Sequence, residues 1–196
     1  MESTKSRDFD VIVIAASAGG IPALKTILTG LSSPFPVPIL IVQHRKPDGG
    51  VQLSRVLGRT TSLLVKDADE GERMHSEVVY LAPPDRHLLV TSDGTLTLSD
   101  GPKVKSCRPS ADVLFASVAE HFGARVLGMV LTGADGDGAA GVRHIKEGHG
   151  VVIAQDLESS AFDGMPWSAM ATGLVDFIVP LEEISATLLR LVGLPS

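Results

Sequence analysis

The strongest constraint on this chain is a short apolar block that is followed first by a glycine turn and then by helical spacing. Residues 10–15, rich in valine and isoleucine, precede Gly19 and Gly20, and apolar residues with the period of a helix begin at Leu24. Residues 38–43 repeat the apolar block, and a polar loop and a second helical pattern follow it. Continuous apolar strands that alternate with helices predict a parallel sheet covered on both faces.

The same alternation continues to the end of the chain. Helices are predicted at residues 51–57, 110–122, 139–146, 167–172 and 181–192, and strands at residues 125–131, 151–154 and 175–179. Trp167 and Met170 have helical spacing and are predicted to be core residues. Glycines that follow helical runs are expected to form left-handed caps, namely Gly123, Gly148, Gly173 and Gly193.

The middle of the chain has a different pattern. Three strand-like runs, residues 77–81, 87–91 and 95–99, are separated by prolines and by the pair Asp93-Gly94. An Asp-Gly pair between two strands is typical of a β-hairpin, so we expect an antiparallel insertion or edge here. The complete pattern predicts an α/β fold: a mostly parallel, doubly wound sheet with helices on both faces and a β-hairpin appendage. This domain is expected over residues 10–193, after an N-terminal tail of residues 1–9.

Charge and composition exclude several classes of partner. The net charge is −6, and no basic run is longer than the pair Arg45-Lys46, which argues against nucleic-acid binding. The longest apolar stretches are too short to cross a bilayer, so no membrane insertion is expected. The single cysteine, Cys107, excludes an internal disulfide framework and is interpreted as an ordinary thiol. These features favour a cytoplasmic location.

Polar side chains with catalytic potential follow three of the predicted strands. Ser17 follows the first strand, His44 the second, and the loop after residues 125–131 offers Asp135 and Asp137. Reacting groups of open α/β sheets collect at the carboxyl ends of strands. A serine becomes a nucleophile when an imidazole takes its proton and a carboxylate orients that imidazole. The amides near Gly19, at the start of the first helix, would face an oxyanion.

Other functions stay open on these residues alone. The turn around Ser17 could instead cradle a phosphate, as in a nucleotide-binding module, although the G-x-G-x-x-G pattern and the P-loop lysine are absent. Asp135 and Asp137 suggest calcium, but the remaining ligands of an EF-hand are missing. His144 and His149 do not share one helical face, and we interpret them as solvated rather than as metal ligands.

Six motifs in a consistent order extend the pattern over about residues 10–192. They are Ala16-Ser-Ala-Gly-Gly20, Val42-Gln-His44, Val65-Lys-Asp-Ala-Asp-Glu-Gly-Glu72, Tyr80-Leu-Ala-Pro-Pro-Asp-Arg-His87, Arg108-Pro-Ser-Ala-Asp-Val-Leu-Phe115, and Leu131-Thr-Gly133 through Asp137-Gly-Ala-Ala-Gly141. This series resembles the CheB-type chemotaxis methylesterases. The resemblance implies hydrolysis of glutamate γ-methyl esters on the cytoplasmic helices of chemoreceptors, with release of methanol, and deamidation of certain glutamines there.

The resemblance also implies roles for individual residues. Ser17 corresponds to the nucleophile, His44 to the base and Asp137 to the carboxylate that orients the base. No cofactor or metal is implied. The family's oxyanion donors lie near the histidine and near the position of Ala134. The remaining candidates for oxyanion or substrate contact are Ala18, Gly19, Met165, Arg86 and Arg108.

The sequence departs from the family's usual pattern at several site positions. Ala15, Ala18 and Ala134 stand where the family usually has glycine, threonine and methionine, and Asp135 adds a charge. These changes keep open a catalytically weakened module that only binds receptor helices. Relatives commonly carry an N-terminal receiver domain, whereas about nine residues precede the first strand here. The expectation is therefore a catalytic domain that needs no phosphorylation, unless a regulator acts in trans.

Overall fold

The computed structural model describes residues 9–45 and 52–195. Most of the predicted tail at residues 1–9, most of the polar loop after residue 43, and Val51 lie outside these ranges. The strands are β1 Val11–Ala16, β2 Ile39–Gln43, β3 Leu64–Asp67, β4 Val78–Leu81, β5 His87–Val90, β6 Leu96–Ser99, β7 Val126–Val130, β8 Val151–Gln155 and β9 Phe177–Val179. The α-helices are α1 Gly20–Thr29, α2 Leu53–Leu57, α3 Ala111–Phe122, α4 Ala139–Glu147, α5 Gly164–Met170 and α6 Ile184–Leu191.

Seven strands form one parallel sheet in the order β3-β4-β2-β1-β7-β8-β9. The chain builds outward from β1 toward β2 and β4, and then returns to place β7 on the other side of β1. The loops after β1 and β7 therefore run in opposite directions, which opens a crevice at the carboxyl ends of these strands. The predicted α/β architecture is confirmed.

Alternating residues of the central strands fill two separate cores. Ile12 and Ile14 of β1 face a cluster that includes Leu24 of α1 and Leu188 of α6. The intervening side chains, such as Val13, face the opposite cluster, which contains residues of α3, α4 and α5. Because both faces are covered, β1 is apolar at every position, as its sequence predicts.

The middle of the chain is only partly antiparallel. The β5–β6 hairpin is antiparallel, with Asp93-Gly94 in its turn, and the buried Leu88 and Val90 belong to the same core as α3. The run at residues 77–81 was expected in this antiparallel part, and that expectation is wrong. It forms β4, which lies in the parallel sheet between β2 and β3. Strand β3 was not predicted, because it is only four residues long and none of them is buried.

Three further local predictions differ from the structure. Gly148 has a φ of −77°, so it does not form a left-handed cap, and the following residue His149 adopts the positive φ of 63° instead. Gly123 has a positive φ of 52° but a ψ of −121°, so it does not adopt the left-handed helical conformation either. Trp167 was predicted to be core but is 61% exposed, although it lies on α5 as expected. Helix α5 buries Met165 and Ala169, so its apolar face points away from Trp167. Among the described residues, no helix has the length and apolar character needed to span a bilayer.

Candidate active site

The crevice between β1 and β7 brings the predicted catalytic side chains to one edge of the sheet. Ala16 and Gln43 are paired in the β1–β2 register, and the next residues, Ser17 and His44, leave the two strands side by side. The His44 amide donates to the Ala16 carbonyl at 3.0 Å, which continues the ladder to the edge. The loop that follows β7 carries Asp137 to the same edge.

The turn at Ser17 is fixed by its backbone. The Ser17 amide donates to the Thr132 carbonyl at 3.0 Å, and the Ser17 carbonyl accepts the Gly20 amide at 2.9 Å. Gly19 has a φ of 76°, a conformation that glycine adopts without strain, and helix α1 begins directly after it. Gln43 Nε2 donates to the carbonyls of both Ser17 and His44, at 2.8 and 2.9 Å. One buried amide therefore ties the two backbones together.

Three of the candidate oxyanion donors have amides that are not already used. Within the described residues, the backbone amides of Ala18, Gly19 and Ala134 donate to no protein acceptor. The Met165 amide differs, because it donates to the Gly133 carbonyl at 2.8 Å and its side chain is fully buried. Ala18 and Gly19 precede the first turn of α1, where unpaired N–H groups favour negative charge. The amides of Ala18 and Gly19 are therefore free donors next to Ser17. The Met165 amide instead holds the loop after β7 through the Gly133 carbonyl.

His44 is hydrogen-bonded to two carboxylates. Its Nε2 lies 2.9 Å from Asp137 Oδ2, and its Nδ1 lies 3.1 Å from Asp135 Oδ2. The Cys107 Sγ approaches Nδ1 at 3.8 Å. Within the described part of the chain, the Ser17 hydroxyl makes no hydrogen bond with His44 or with any other protein group. The structure thus joins the imidazole to both candidate carboxylates at once.

Asp137 is buried and held by four donors. Besides His44, its carboxylate accepts the Ser110 hydroxyl at 2.8 Å and the amides of Ala111 and Asp112 at 2.5 and 3.1 Å. These amides start helix α3, whose positive end stabilises a negative charge. Burial on its own would raise the pKa of Asp137, but the bonds from His44, Ala111 and Ser110 outweigh it and lower the pKa. Asp137 is therefore a fixed carboxylate anion.

The two carboxylates determine the protonation of His44. A carboxylate oxygen accepts hydrogen bonds, so each ring nitrogen must carry a proton to bond as observed. Burial, the largest single effect, lowers the pKa of His44, but the combined hydrogen bonds and charges of Asp135 and Asp137 raise it to about 9. The bond from His44 lowers the pKa of Asp135. The ring is an imidazolium at neutral pH.

Cys107 lies next to the His44 imidazole, but its thiol is not in the reactive form. Burial, followed by the charges of Asp135 and Asp137, raises the pKa of the Cys107 thiol to about 11. A thiolate is the reactive form, so the thiol is inert at neutral pH. This agrees with its interpretation from sequence as an ordinary thiol.

A cavity of about 370 Å³ opens beside His44. The basic residues Arg45, Lys103 and Arg108 contribute to its wall. Arg108 uses its guanidinium to bind Asp85 and the carbonyls of Asp100 and Gly101.

Of the two predicted arginines, the structure thus brings Arg108 to the cavity. Arg86 does not line it, and instead binds the Leu98 carbonyl and Asp100 in the hairpin region.

The alternatives left open by the sequence gain little from the structure. The atoms of His44, Cys107 and Asp137 lie within 4.8 Å of one another, but the hydrogen bonds of Asp137 already use both of its oxygens. Asp135 and Asp137 both point at the imidazole rather than enclosing an ion. His144 Nδ1 lies 3.4 Å from Glu147 Oε2, and both side chains are exposed on α4, as expected for a solvated histidine.

Sequence reasoning missed three contributors to the site. Asp135 was considered as an alternative to Asp137 for the orienting role, but not as a second partner of His44 alongside Asp137. Ser110 was predicted to open a helix, and its hydroxyl also holds Asp137. Cys107 was not connected with His44 because the two are 63 residues apart in the chain. The one available signal was the spacing of Asp135 and Asp137 in the loop after β7, since alternate residues of a turn can face the same side.

Fold and site together define a class: an α/β protein that carries a serine, a histidine and a carboxylate at the ends of neighbouring parallel strands, as serine hydrolases do. The sequence pattern of the family described as CheB methylesterase matches residues 12–188. The chain belongs to this family.

Individual relatives are similar over nearly the whole chain. A protein of Leptospira interrogans is 41% identical over 184 residues, which cover 94% of this chain and 95% of that protein. The protein-glutamate methylesterase/protein-glutamine glutaminase 2 of Methanosarcina mazei is 38% identical, and the match covers 97% of this chain but 53% of that protein. The crystal structure of the Thermotoga maritima CheB methylesterase catalytic domain gives a TM-score of 0.90 at 34% identity, covering 95% of this chain and 100% of that chain.

Proposed function

We propose that this chain is a serine-type protein-glutamate methylesterase that acts on methylated cytoplasmic helices of chemoreceptors. The observation that carries the proposal is the hydrogen bond between His44 and the buried Asp137, next to Ser17 at the paired ends of β1 and β2. Membership of the CheB methylesterase family supplies the substrate class.

The chemistry follows the logic of acyl transfer. The Ser17 Oγ attacks the ester carbonyl of a methylated glutamate while His44 takes the hydroxyl proton. The oxyanion that forms accepts the backbone amides of Ala18, Gly19 and Ala134, which donate to no other protein acceptor within the described residues. His44 then gives the proton to the methoxy group, and methanol leaves. A water molecule, activated by His44, releases the glutamate carboxylate and restores Ser17.

The same steps deamidate a glutamine, with ammonia in place of methanol. Relatives such as the Methanosarcina mazei protein carry both activities in their names. Receptor glutamines are therefore proposed as a second substrate, and ammonia release from an unmethylated receptor fragment tests it. The oxyanion donors and the nucleophile are common to both reactions.

A binding module without catalysis is the competing function. Such a module could use the Asp137 carboxylate as a cap for α3, but it has no need of the His44 imidazole bonded to that carboxylate. The exposed Trp167 and Phe162 are available to a binding surface in either case. They do not distinguish the two functions.

Methanol release from a methylated receptor fragment tests the proposal. Ser17→Ala should reduce release by several orders of magnitude while the thermal unfolding midpoint stays within a few degrees, since triad residues act as a unit. Ser92→Ala, at an exposed position in the hairpin turn, is the matched control and should behave like the wild type. Wild-type turnover by a folded Ser17→Ala protein would exclude Ser17 as the nucleophile.

A further inference from the structure

Asp135 occupies the nitrogen of His44 that the esterase reaction needs. Asp137 binds Nε2, so the nitrogen left to accept the Ser17 proton is Nδ1. Nδ1 instead donates to Asp135 Oδ2 at 3.1 Å. A general base must present an unprotonated nitrogen to the hydroxyl, and a ring that donates from both nitrogens has none. The arrangement described is thus a resting state of the base.

We propose that Asp135 is a restraining residue that holds His44 in this resting state, so that catalysis requires Nδ1 to lose both its proton and its bond to Asp135. The inference rests on the proposed esterase function. It assigns Asp135 a positioning role opposite in sign to that of Asp137: one carboxylate orients the base for reaction, and the other keeps it from reacting.

The two carboxylates differ in how firmly they are held. The Asp137 side chain is fully buried, whereas the Asp135 side chain is 36% exposed. Asp135 Oδ2 bonds only to His44 within the described residues, and Oδ1 accepts the Asp137 amide at 2.9 Å. Rotation of the Asp135 side chain into solvent would break its hydrogen bonds to His44 and to the Asp137 amide. Rotation of the Asp137 side chain would also leave the first amides of α3 without an acceptor. Asp135 is therefore the partner that can let go.

The surroundings of the ring leave Asp135 as the adjustable charge. The titratable and charged groups around His44 are Asp135, Asp137, Cys107, Lys105 and Asp112, together with Arg45, Asp85, Lys103 and Arg108 of the adjoining cavity. Arg45 is paired with Asp67, and Arg108 is paired with Asp85. Lys105 is engaged by Asp112 and by the Gly136 carbonyl, and Cys107 is a neutral thiol. Two anions thus face one imidazole, and the pKa of His44 is raised in consequence.

The restraint gives the esterase an alkaline rate profile. The proton on Nδ1 passes to water as the pH rises, and the neutral ring no longer donates to Asp135. Each unit by which the His44 pKa falls makes the neutral base about ten times more abundant at pH values below it. Removing Asp135 should therefore increase turnover at neutral pH rather than decrease it.

Two substitutions separate the charge of Asp135 from its occupation of Nδ1. Asp135→Ala removes both, and methanol release at pH 7 should rise about tenfold or more, with a smaller change above pH 9. Asp135→Asn removes the charge, but its amide can still donate to Nδ1, so the gain should be smaller. Glu182→Gln removes a surface carboxylate elsewhere and should leave the pH profile unchanged.

NMR of the His44 ring nitrogens measures their protonation directly, without an activity assay. In ¹⁵N-labelled wild type, both ring nitrogens of His44 should be protonated at pH 7.5, with the resonance assigned by its loss in His44→Gln. In Asp135→Ala the ring should titrate at least one pH unit lower. The unfolding midpoint of each variant, followed by circular dichroism, identifies any that fail to fold.

The outcomes distinguish failure of this inference from failure of the esterase function. If the wild type releases methanol but Asp135→Ala shows neither a gain at pH 7 nor a lower His44 titration, Asp135 does not restrain the base. A shifted titration without methanol release by any variant would overturn the esterase function instead. Loss of activity in a folded Asp135→Ala protein would make Asp135 a supporting residue and overturn the inference.

Discussion

The Asp137 carboxylate caps the start of α3, and the Asp112 carboxylate caps the start of α4. Asp137, one residue before the N-cap of α4, accepts the first amides of α3, and Asp112, in the first turn of α3, accepts the amides of Gly138 and Gly141 at 2.8 Å each. Neither capping residue is the N-cap of its own helix. The exchange locks the loop after β7 to α3 and fixes the carboxylate that meets His44.

The first prediction concerns this exchange of caps. Asp112→Ala removes the acceptor for two amides of α4, so the free energy of unfolding should fall by about 1–2 kcal/mol. Turnover should fall as well, because the loop that carries Asp137 loses its anchor. Urea unfolding and methanol release measure the two effects. Asp163→Ala, which removes an exposed carboxylate, is the control, and an equal loss of stability there would contradict the capping role.

The second prediction concerns Asp137 itself. Asp137→Asn places an amide where four donors converge, and it favours the wrong imidazole tautomer, so turnover should fall about 10⁴-fold. Asp135→Asn should not show such a fall. Steady-state kinetics of both variants across pH 6–10 provide the comparison. The reverse order of losses would mean that Asp135, not Asp137, orients the base.

The third prediction is a dependence of stability on pH. The pKa of His44 is about 9 in the folded protein and near 6.5 when unfolded, so its protonated form stabilises the fold. This contribution, about 3 kcal/mol by linkage, is fully present below pH 6.5 and is lost as the pH rises through 9. Urea unfolding at pH 6 and pH 10 should show the loss in the wild type. The loss should be smaller in His44→Gln, whose side chain does not titrate and which keeps only the contributions of groups such as Cys107, whose pKa is also raised in the folded protein.

The fourth prediction concerns metal ions. Serine, imidazole and backbone donors suffice for acyl transfer, and the hydrogen bonds of Asp137 occupy both of its oxygens. Methanol release should therefore survive dialysis against EDTA unchanged. Loss of activity that returns with one added divalent ion would reopen the group of His44, Cys107 and Asp137 as ligands.

Periodicity predicted the parts of this molecule whose pattern is local. Strand β1 and helix α1 show their spacing within a few residues, and the positions of Ser17 and His44 follow from it. Strand β4 was assigned to the wrong sheet because four apolar residues carry no information about their partner strand. The pairing of a strand with its neighbours depends on distant segments of the chain, and a short apolar run does not show which segments these are.

The electrostatics of the site depended on contacts that spacing does not encode. The sequence placed Asp135 and Asp137 in one loop, yet only the turn geometry shows that both carboxylates reach the same ring. Likewise, the helix that Ser110 opens was predictable, whereas its hydroxyl turning toward a loop 27 residues away was not. Such contacts arise when α3 packs against the sheet.

The return of the chain from β4 to the far side of β1 has a consequence for folding. Ser17 and His44 are adjacent as soon as β1 and β2 pair, but Asp137 arrives only when β7 docks on β1, more than 100 residues later in the chain. Contacts between such distant segments form late, because loop closure must precede them. An intermediate that contains only the first half of the sheet therefore holds Ser17 and His44, the proposed nucleophile and base, without Asp137, the proposed partner of His44. Ester hydrolysis would thus appear during refolding only with the last central strand, which makes turnover a reporter of completed assembly.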